Sequence, residues 1–232
     1  MERFLRAARA LAPDLLDAVV GVPLLEIAPL AALYERPLPP GYLAFLRLMG
    51  RDHGGLEVYP DCLTGFDDVL EYTRDRVDDL GFEGAVAPDR FIIGVAELPG
   101  VDLCLQTLPD GRHRVVETAL SEPVPVADSL PGLLCRQLFE QRALDPSPHK
   151  GVWAGRIADA ATLLPAMAGA AGCEALWFSD PQVWCGARPD ARVLIGVHRG
   201  GVYARVGANT AAALEQVGAV LALELGPDAR KA

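Results

Sequence analysis

The residues able to do acid–base, nucleophilic or metal chemistry are few and scattered. The chain has four histidines, His53, His113, His149 and His198, and five cysteines, Cys62, Cys104, Cys135, Cys173 and Cys185. Metal sites in sequence usually show as pairs of Cys or His a few residues apart. No histidine here pairs with another histidine or with a cysteine at that spacing. No CxxC pair occurs, and an odd cysteine count does not suggest a disulfide framework. Four of the cysteines have apolar or aromatic neighbours, where cysteine packs as a small core residue. A reducing, cytoplasmic compartment is therefore expected. A Cys/His nucleophile could be assembled from distant residues, but no family signature surrounds any cysteine. His53 beside Gly54–Gly55 reads as a loop ligand or as an ordinary loop histidine. His149 beside Lys150 reads as a linker residue. The segment HRGG at 198–201 follows a strand and opens another strand, not a helix. It lacks the context of a phosphate loop. No catalytic residue, cofactor or metal is assigned, and the chain is not expected to be an enzyme.

The chemistry that remains is charge. The segment FDDVLEYTRDRVDDL at 66–80 carries Asp67, Asp68, Glu71, Asp75, Asp78 and Asp79 against Arg74 and Arg76. Phe66, Val69, Leu70, Thr73, Val77 and Leu80 can share one helical face, which leaves the acids on the others. Such a face could meet a basic groove on a partner. It could equally be a solvated helix surface, with Asp67 and Asp68 favouring the positive helix N-terminus. The whole chain is acidic too, with 21 basic and 31 acidic residues and a net charge of −10. It repels phosphate backbones, so nucleic acid is disfavoured, and it attracts basic proteins. Solubility alone would also explain the acidity. A second candidate is the aromatic group Trp153, Trp177, Phe178 and Trp184. Exposed, these rings would be binding anchors; buried, they would form the core of a small domain.

The elements that must position these residues follow from periodicity. The chain has 232 residues, 51% hydrophobic and 22% charged, enough for a sizeable core in one large or two small domains. No apolar run approaches the ~20 residues needed to span a bilayer. At the N-terminus, Leu5, Ala8, Leu11, Leu15, Leu16 and Val19 recur at helical spacing, and charges interrupt the apolar residues. An amphipathic helix, not a signal peptide, is expected there. Helices are predicted over 2–20, 24–34, 41–49 and 66–80. Strands are predicted over 91–98, 101–108, 112–118 and 124–130, then a helix to about 143 capped by Asp128 or Ser129. In strand 101–108, Val101, Leu103 and Leu105 alternate with Asp102, Cys104 and Gln106. DPSPHKG at 145–151 reads as an exposed connection near Ser147. Two domains are expected, 1–146 and 151–232. In the second, a helix over 156–171 precedes strands over 174–179, 182–187, 191–198 and 201–206. Gly200–Gly201 suits a hairpin turn. A last helix runs from Asn209, as N-cap, to Leu225. The expected class is α+β, an antiparallel β-sheet flanked by helices plus a small C-terminal α/β unit.

The segment LPPGYLAFLRLMG at 38–50, followed by Gly54 and Gly55, resembles the SUKH superfamily, which also contains Smi/Knr-type cell-wall regulators. Leu38, Pro39, Tyr42, Phe45, Leu46 and Gly50 occupy the places of the family pattern. The later stretch FIIGVAELPGVDLCLQTLPDGRHRVVETALSEPVPVADSLPGLLCRQL resembles the family's second half. The likeness covers residues 24–143. It departs at Met49–Gly50, where an asparagine before the glycine is common, and at the RDH preceding Gly54.

The resemblance implies a bacterial immunity protein of a polymorphic toxin system, binding and neutralising a co-encoded, often basic, toxin domain. Asp67, Asp68, Glu71, Asp75, Asp78 and Asp79 are the candidate partner-binding residues. The stretch 191–225 has a roadblock-like rhythm of strand hairpin and helix. That analogy implies a scaffold or regulatory adaptor, with the C-terminal unit as a homodimer surface or as the contact for a small GTPase or secretion component.

Overall fold

The structure, a computed structural model, describes the chain except for residues 82–86, 97–100, 119–121, 156–168, 170, 199–200, 226–229 and 232. It is α+β and divides into two compact units, Met1–Gln137 and Leu138–Ala232. Among the described residues no helix is long and apolar enough to cross a membrane.

The first unit opens with α1 (Glu2–Leu11) and α2 (Leu15–Ala18). The single helix expected over 2–20 is broken because Pro13 disfavours helical backbone at the residue before it. Ala12 accordingly turns out at φ −154° and ψ 72°. Helix α3 (Leu24–Leu33) and α4 (Pro40–Met49) follow. Pro40 takes the first helical position of α4, where its missing N–H costs nothing. Gly50 ends α4 for a reason of packing: a Cβ there would lie 2.7 Å from the Leu46 backbone. Helix α5 (Phe66–Leu80) runs as the apolar spacing predicts.

The sheet of this unit has the order β1 (Cys62–Leu63), β2 (Arg90–Ala96), β3 (Asp102–Thr107), β4 (His113–Thr118), β5 (Val124–Ala127), all antiparallel. β1 was not expected. Asp102, Leu103, Cys104 and Leu105 are all buried, so β3 does not separate a wet face from a dry one. Both of its sides are covered, and the alternation of side-chain type there is not an alternation of exposure. Helix α6 (Leu130–Phe139) is capped by Ser129, whose Oγ accepts from the Gly132 N–H at 3.2 Å. Tyr34, Tyr42, Phe4, Phe45 and Phe66 are the largest fully buried side chains. The Tyr34 hydroxyl accepts from the Ile92 N–H at 2.8 Å and so joins α3 to β2.

The second unit carries a six-stranded antiparallel sheet in the order β11 (Arg230–Lys231), β6 (His149–Gly155), β10 (Gly201–Ala208), β9 (Ala191–His198), β8 (Val183–Arg188), β7 (Glu174–Ala175). Strand β6 corrects the reading of His149 as a linker residue. It pairs with β10 from His149↔Ala208 to Gly155↔Val202. Ser147 is buried, and its Oγ donates to the Ala143 carbonyl at 3.3 Å. Pro146 and Pro148 precede the strand and take no part in its ladder. The preceding π-helical turn, Glu140–Leu144, packs on β9 and β10. There Arg205 of β10 donates to Glu140 and, at 2.5 Å, to Asp145.

The expected helix 156–171 falls almost wholly outside the described residues, and the Gly200–Gly201 turn partly so. Of the strand expected over 174–179, Glu174 and Ala175 alone are paired. The last helix, α7 (Ala211–Leu225), is capped by Thr210 and not by Asn209: Thr210 Oγ1 accepts from the Ala213 N–H at 3.1 Å.

Glycines let the aromatic rings of this sheet lie flat. A Cβ on Gly186 would lie 1.9 Å from the Trp184 ring, and one on Gly196 2.3 Å from the Tyr203 ring. Trp153 is wedged between Gly151 and Gly218, where added Cβ atoms would approach it to 2.5 and 2.3 Å. Gly218→Ala gains up to about 1 kcal/mol of helix preference. Overpacking against a ring that cannot retreat costs about 1–3 kcal/mol. A net fall in Tm is therefore expected for Gly218→Ala in a thermal melt; a rise would show that Trp153 is free to move.

Candidate partner-binding surface

Helix α5 begins at Gly65, which provides no side-chain cap, so Asp67 and Asp68 in the first turn offset its positive end. Phe66, Val69 and Thr73 are buried. The Thr73 hydroxyl donates to the Val69 carbonyl at 2.7 Å. Leu80, assigned by periodicity to the inner face, is 58% exposed at the helix end.

All six predicted acids are exposed. At about 100° per residue, Asp67, Glu71, Asp75 and Asp78 fall within about 80° of arc, and Asp68 and Asp79 widen it to about 120°. The structure thus brings the six together on the side of α5 away from its buried residues. Asp67 Oδ2 stands 3.9 Å from Arg51 Nε, and Arg51 Nη2 donates to Glu26 at 2.5 Å. Sequence reading missed both Arg51 and Glu26; they lie far apart in the chain and in no shared motif.

The two basic residues of the segment have different fates. Arg74 is exposed beside the acids. Arg76 turns inward, donating through Nη1 to Asp102 at 2.9 Å and to the Tyr72 hydroxyl at 3.0 Å. The outer face therefore keeps its carboxylates with the Arg74 guanidinium beside them and Arg51 at the Asp67 end. Asp102 is 6% exposed, and its Oδ1 has no hydrogen-bond partner. Burial pushes its carboxyl above the usual carboxylate range, against the pull of Tyr72 and Arg76.

The nucleophile and metal candidates do not converge. Cys104, Cys135, Cys173 and Cys185 are buried and Cys62 half-buried. Burial pushes the Cys62, Cys104 and Cys135 thiols up to about 12, so the nucleophilic thiolate is scarce at neutral pH. Among the described residues no group of three or more His, Cys, Asp and Glu is placed to hold a metal ion. A cavity of about 270 Å³ lies between the first turn of α4, His113, Leu105 and the first turn of α6. Burial lowers the His113 pKa from its ordinary 6.5, and Arg112 at the rim is tied to Asp110 at 2.6 Å. Of the aromatic group, Trp153, Trp184 and Phe178 are core residues. Trp177, in a turn and not on a strand, is 43% exposed.

No protein-family model and no curated protein matches the chain.

Two outcomes follow for the ground under α5. Asp102→Ala leaves Arg76 without its carboxylate. Because the Arg76 side chain is 29% exposed, the loss should be about 1–3 kcal/mol and not the larger figure for a fully buried pair. Urea unfolding should show it, and adding Arg76→Met should restore part; no change would mean the pair is inert. His53 has a buried Nε2 without a partner and a ring 5.6 Å from Phe45. Burial lowers its pKa from 6.5, against Asp52 and Asp68. The unfolded chain then binds the proton more tightly. Stability contributed by neutral His53 is complete above 6.5 and is lost as pH falls through the lowered folded value. Stability measured from pH 7.5 to 5 should decline, and His53→Gln should flatten that decline.

Proposed function

We propose that the chain is a non-catalytic binding protein that captures a basic protein partner on the acidic face of α5. The observation that supports this best is the fate of Arg76. With one of its two internal cations drawn to Asp102, the helix shows Asp67, Glu71, Asp75 and Asp78 as a nearly unbalanced negative stripe. A stripe of one sign steers a cationic partner and speeds encounter by roughly 10–10³-fold at low salt. The same charge, at −10 for the chain, works against nucleic acid. Taken with the SUKH resemblance of residues 24–143, the reading becomes specific: an immunity-type protein that neutralises a co-encoded toxin by covering a basic surface. Such a role needs a stable scaffold and a complementary face, and no catalytic group. The alternative, an adaptor for a small GTPase or secretion component, would use the C-terminal unit, where Trp177 and Leu223 are exposed.

The test is rescue. Cells expressing the toxin encoded beside this chain should survive when the chain is co-expressed. Glu71→Lys/Asp75→Lys/Asp78→Lys should abolish rescue and lower the association rate by about tenfold or more, with a flatter salt dependence. Full rescue by the reversed variant would reject the acidic face as the docking site. Capture of the partner by residues 138–232 would favour the adaptor.

A further inference from the structure

None of the six acids of α5 lines the cavity at the first turns of α4 and α6. It measures about 270 Å³, against about 150 Å³ for an apolar cavity that holds benzene. That is room for one ring with a short substituent. Pro39, Tyr42, Leu105 and Leu130 line it and are all buried. Arg112 and Asp128 also line it and are exposed, so they mark its mouth. Gly41 faces it from α4, and a Cβ there would meet nothing within 4 Å. The backbone does not require glycine at this position, because its φ lies outside the left-handed region. Glycine is also the weakest helix former after proline. What the missing side chain leaves at this place is space.

We infer that this cavity is a binding site for a small neutral molecule, one ring carrying a hydroxyl or carbonyl group. Mostly apolar walls with a few polar groups are the usual form of such a site. The charges around it select against ions. Asp128 opposes an anion, whereas Arg112 and the positive ends of α4 and α6 oppose a cation. Two of the polar groups are engaged within the chain. Arg112 donates to Asp110 at 2.6 Å, and the Ser129 Oγ accepts from the Gly132 N–H at 3.2 Å. His113 differs: among the described residues its ring has no hydrogen-bond partner. Burial, helped by the Arg36 charge, lowers its pKa from 6.5, so the imidazole is neutral at pH 7. A neutral imidazole offers one N–H and one bare nitrogen. These match a hydroxyl or a carbonyl without adding charge.

Three probes that differ chiefly in charge test this on the full chain: benzyl alcohol, benzoate and benzylammonium. Benzyl alcohol should bind saturably and shift the amide resonances of Gly41, Leu105, His113 and Leu130. The two ions should bind at least about fivefold more weakly, because each must shed water from its charge. Gly41→Leu should fill the cavity and weaken benzyl alcohol by about tenfold or more. Its Tm should equal or exceed that of the wild type, since leucine is the better helix former. His113→Leu should weaken benzyl alcohol about fivefold through one lost hydrogen bond and leave toluene binding unchanged. Shifts that rise without saturating, or that fall elsewhere in the chain, would overturn the site. So would wild-type affinity in a folded Gly41→Leu. Equal binding of all three probes, or tighter binding of either ion, would overturn the neutral class. Equal losses of toluene and benzyl alcohol in His113→Leu would overturn the hydrogen bond assigned to His113. Should Gly41→Leu fail to fold, saturation and the ranking of the probes on the wild type decide by themselves.

Discussion

One buried ion pair ties α5 to the central strand of its sheet. Asp102 is the first residue of β3, the central strand of a five-stranded sheet, and is buried there. A lone carboxylate there would be costly, since burial disfavours the charged form by several kcal/mol. Arg76 compensates by reaching in from the helix, with the Tyr72 hydroxyl alongside. Such a pair adds little net stability over an apolar one, because both partners lose water. What it adds is a tie between residue 76 of α5 and residue 102 of β3, made in the rotation that the buried apolar face also requires. That rotation carries Phe66, Val69 and Thr73 into the core and the acids outward. The same contact removes a positive charge from the exposed face. One interaction therefore bears on both the seat of the helix and the charge left on its surface.

The C-terminal unit is built on a different constraint, which is shape. Trp153, Trp184 and Tyr203 each lie against a glycine that no other residue could replace without a collision. The rings cover backbone that a glycine leaves bare, a known remedy for glycine within sheets. One ionic element here is Arg205, held between Glu140 and Asp145. It fastens the π-helical turn to β10. Desolvation lowers the Arg205 pKa, yet a guanidinium remains charged throughout the physiological range. The guanidinium half of this clasp therefore does not titrate in that range.

Much of this was legible in residue order. The 3.6-residue spacing of Val69, Thr73 and Val77 marked α5, and the short gap between the strands expected over 101–108 and 112–118 marked the hairpin between β3 and β4. Local patterns also hid things. β6 begins inside DPSPHKG, whose prolines and charges look like a connection; its strand identity comes from pairing with β10, some fifty residues on, which no local window contains. Asn209 and Thr210 are both good caps, and hydrogen-bond geometry alone chose between them. The acids of α5 could be read directly. The inward turn of Arg76 could not, because its partner lies 26 residues away. Nor could the exposure of Leu24 and Leu25, since adjacent leucines at a helix start usually signal core.

The acidic helix also shows why a binding surface and a stable fold make competing demands. Carboxylates at i, i+4 and i+8, as at Asp67, Glu71 and Asp75, repel along the helix and would weaken it in isolation. Their cost is modest where water and salt screen them, and the buried side of α5 offsets it. Phe66, Val69 and Thr73 are each at most 2% exposed, and burying side chains such as Phe and Val is worth about 1.5–3 kcal/mol apiece. A helix held by its core contacts can carry a self-repelling outer face, and a partner that neutralises that face relieves the repulsion on binding. The charge is thus tolerated by the folded chain and becomes favourable in a complex with a basic partner.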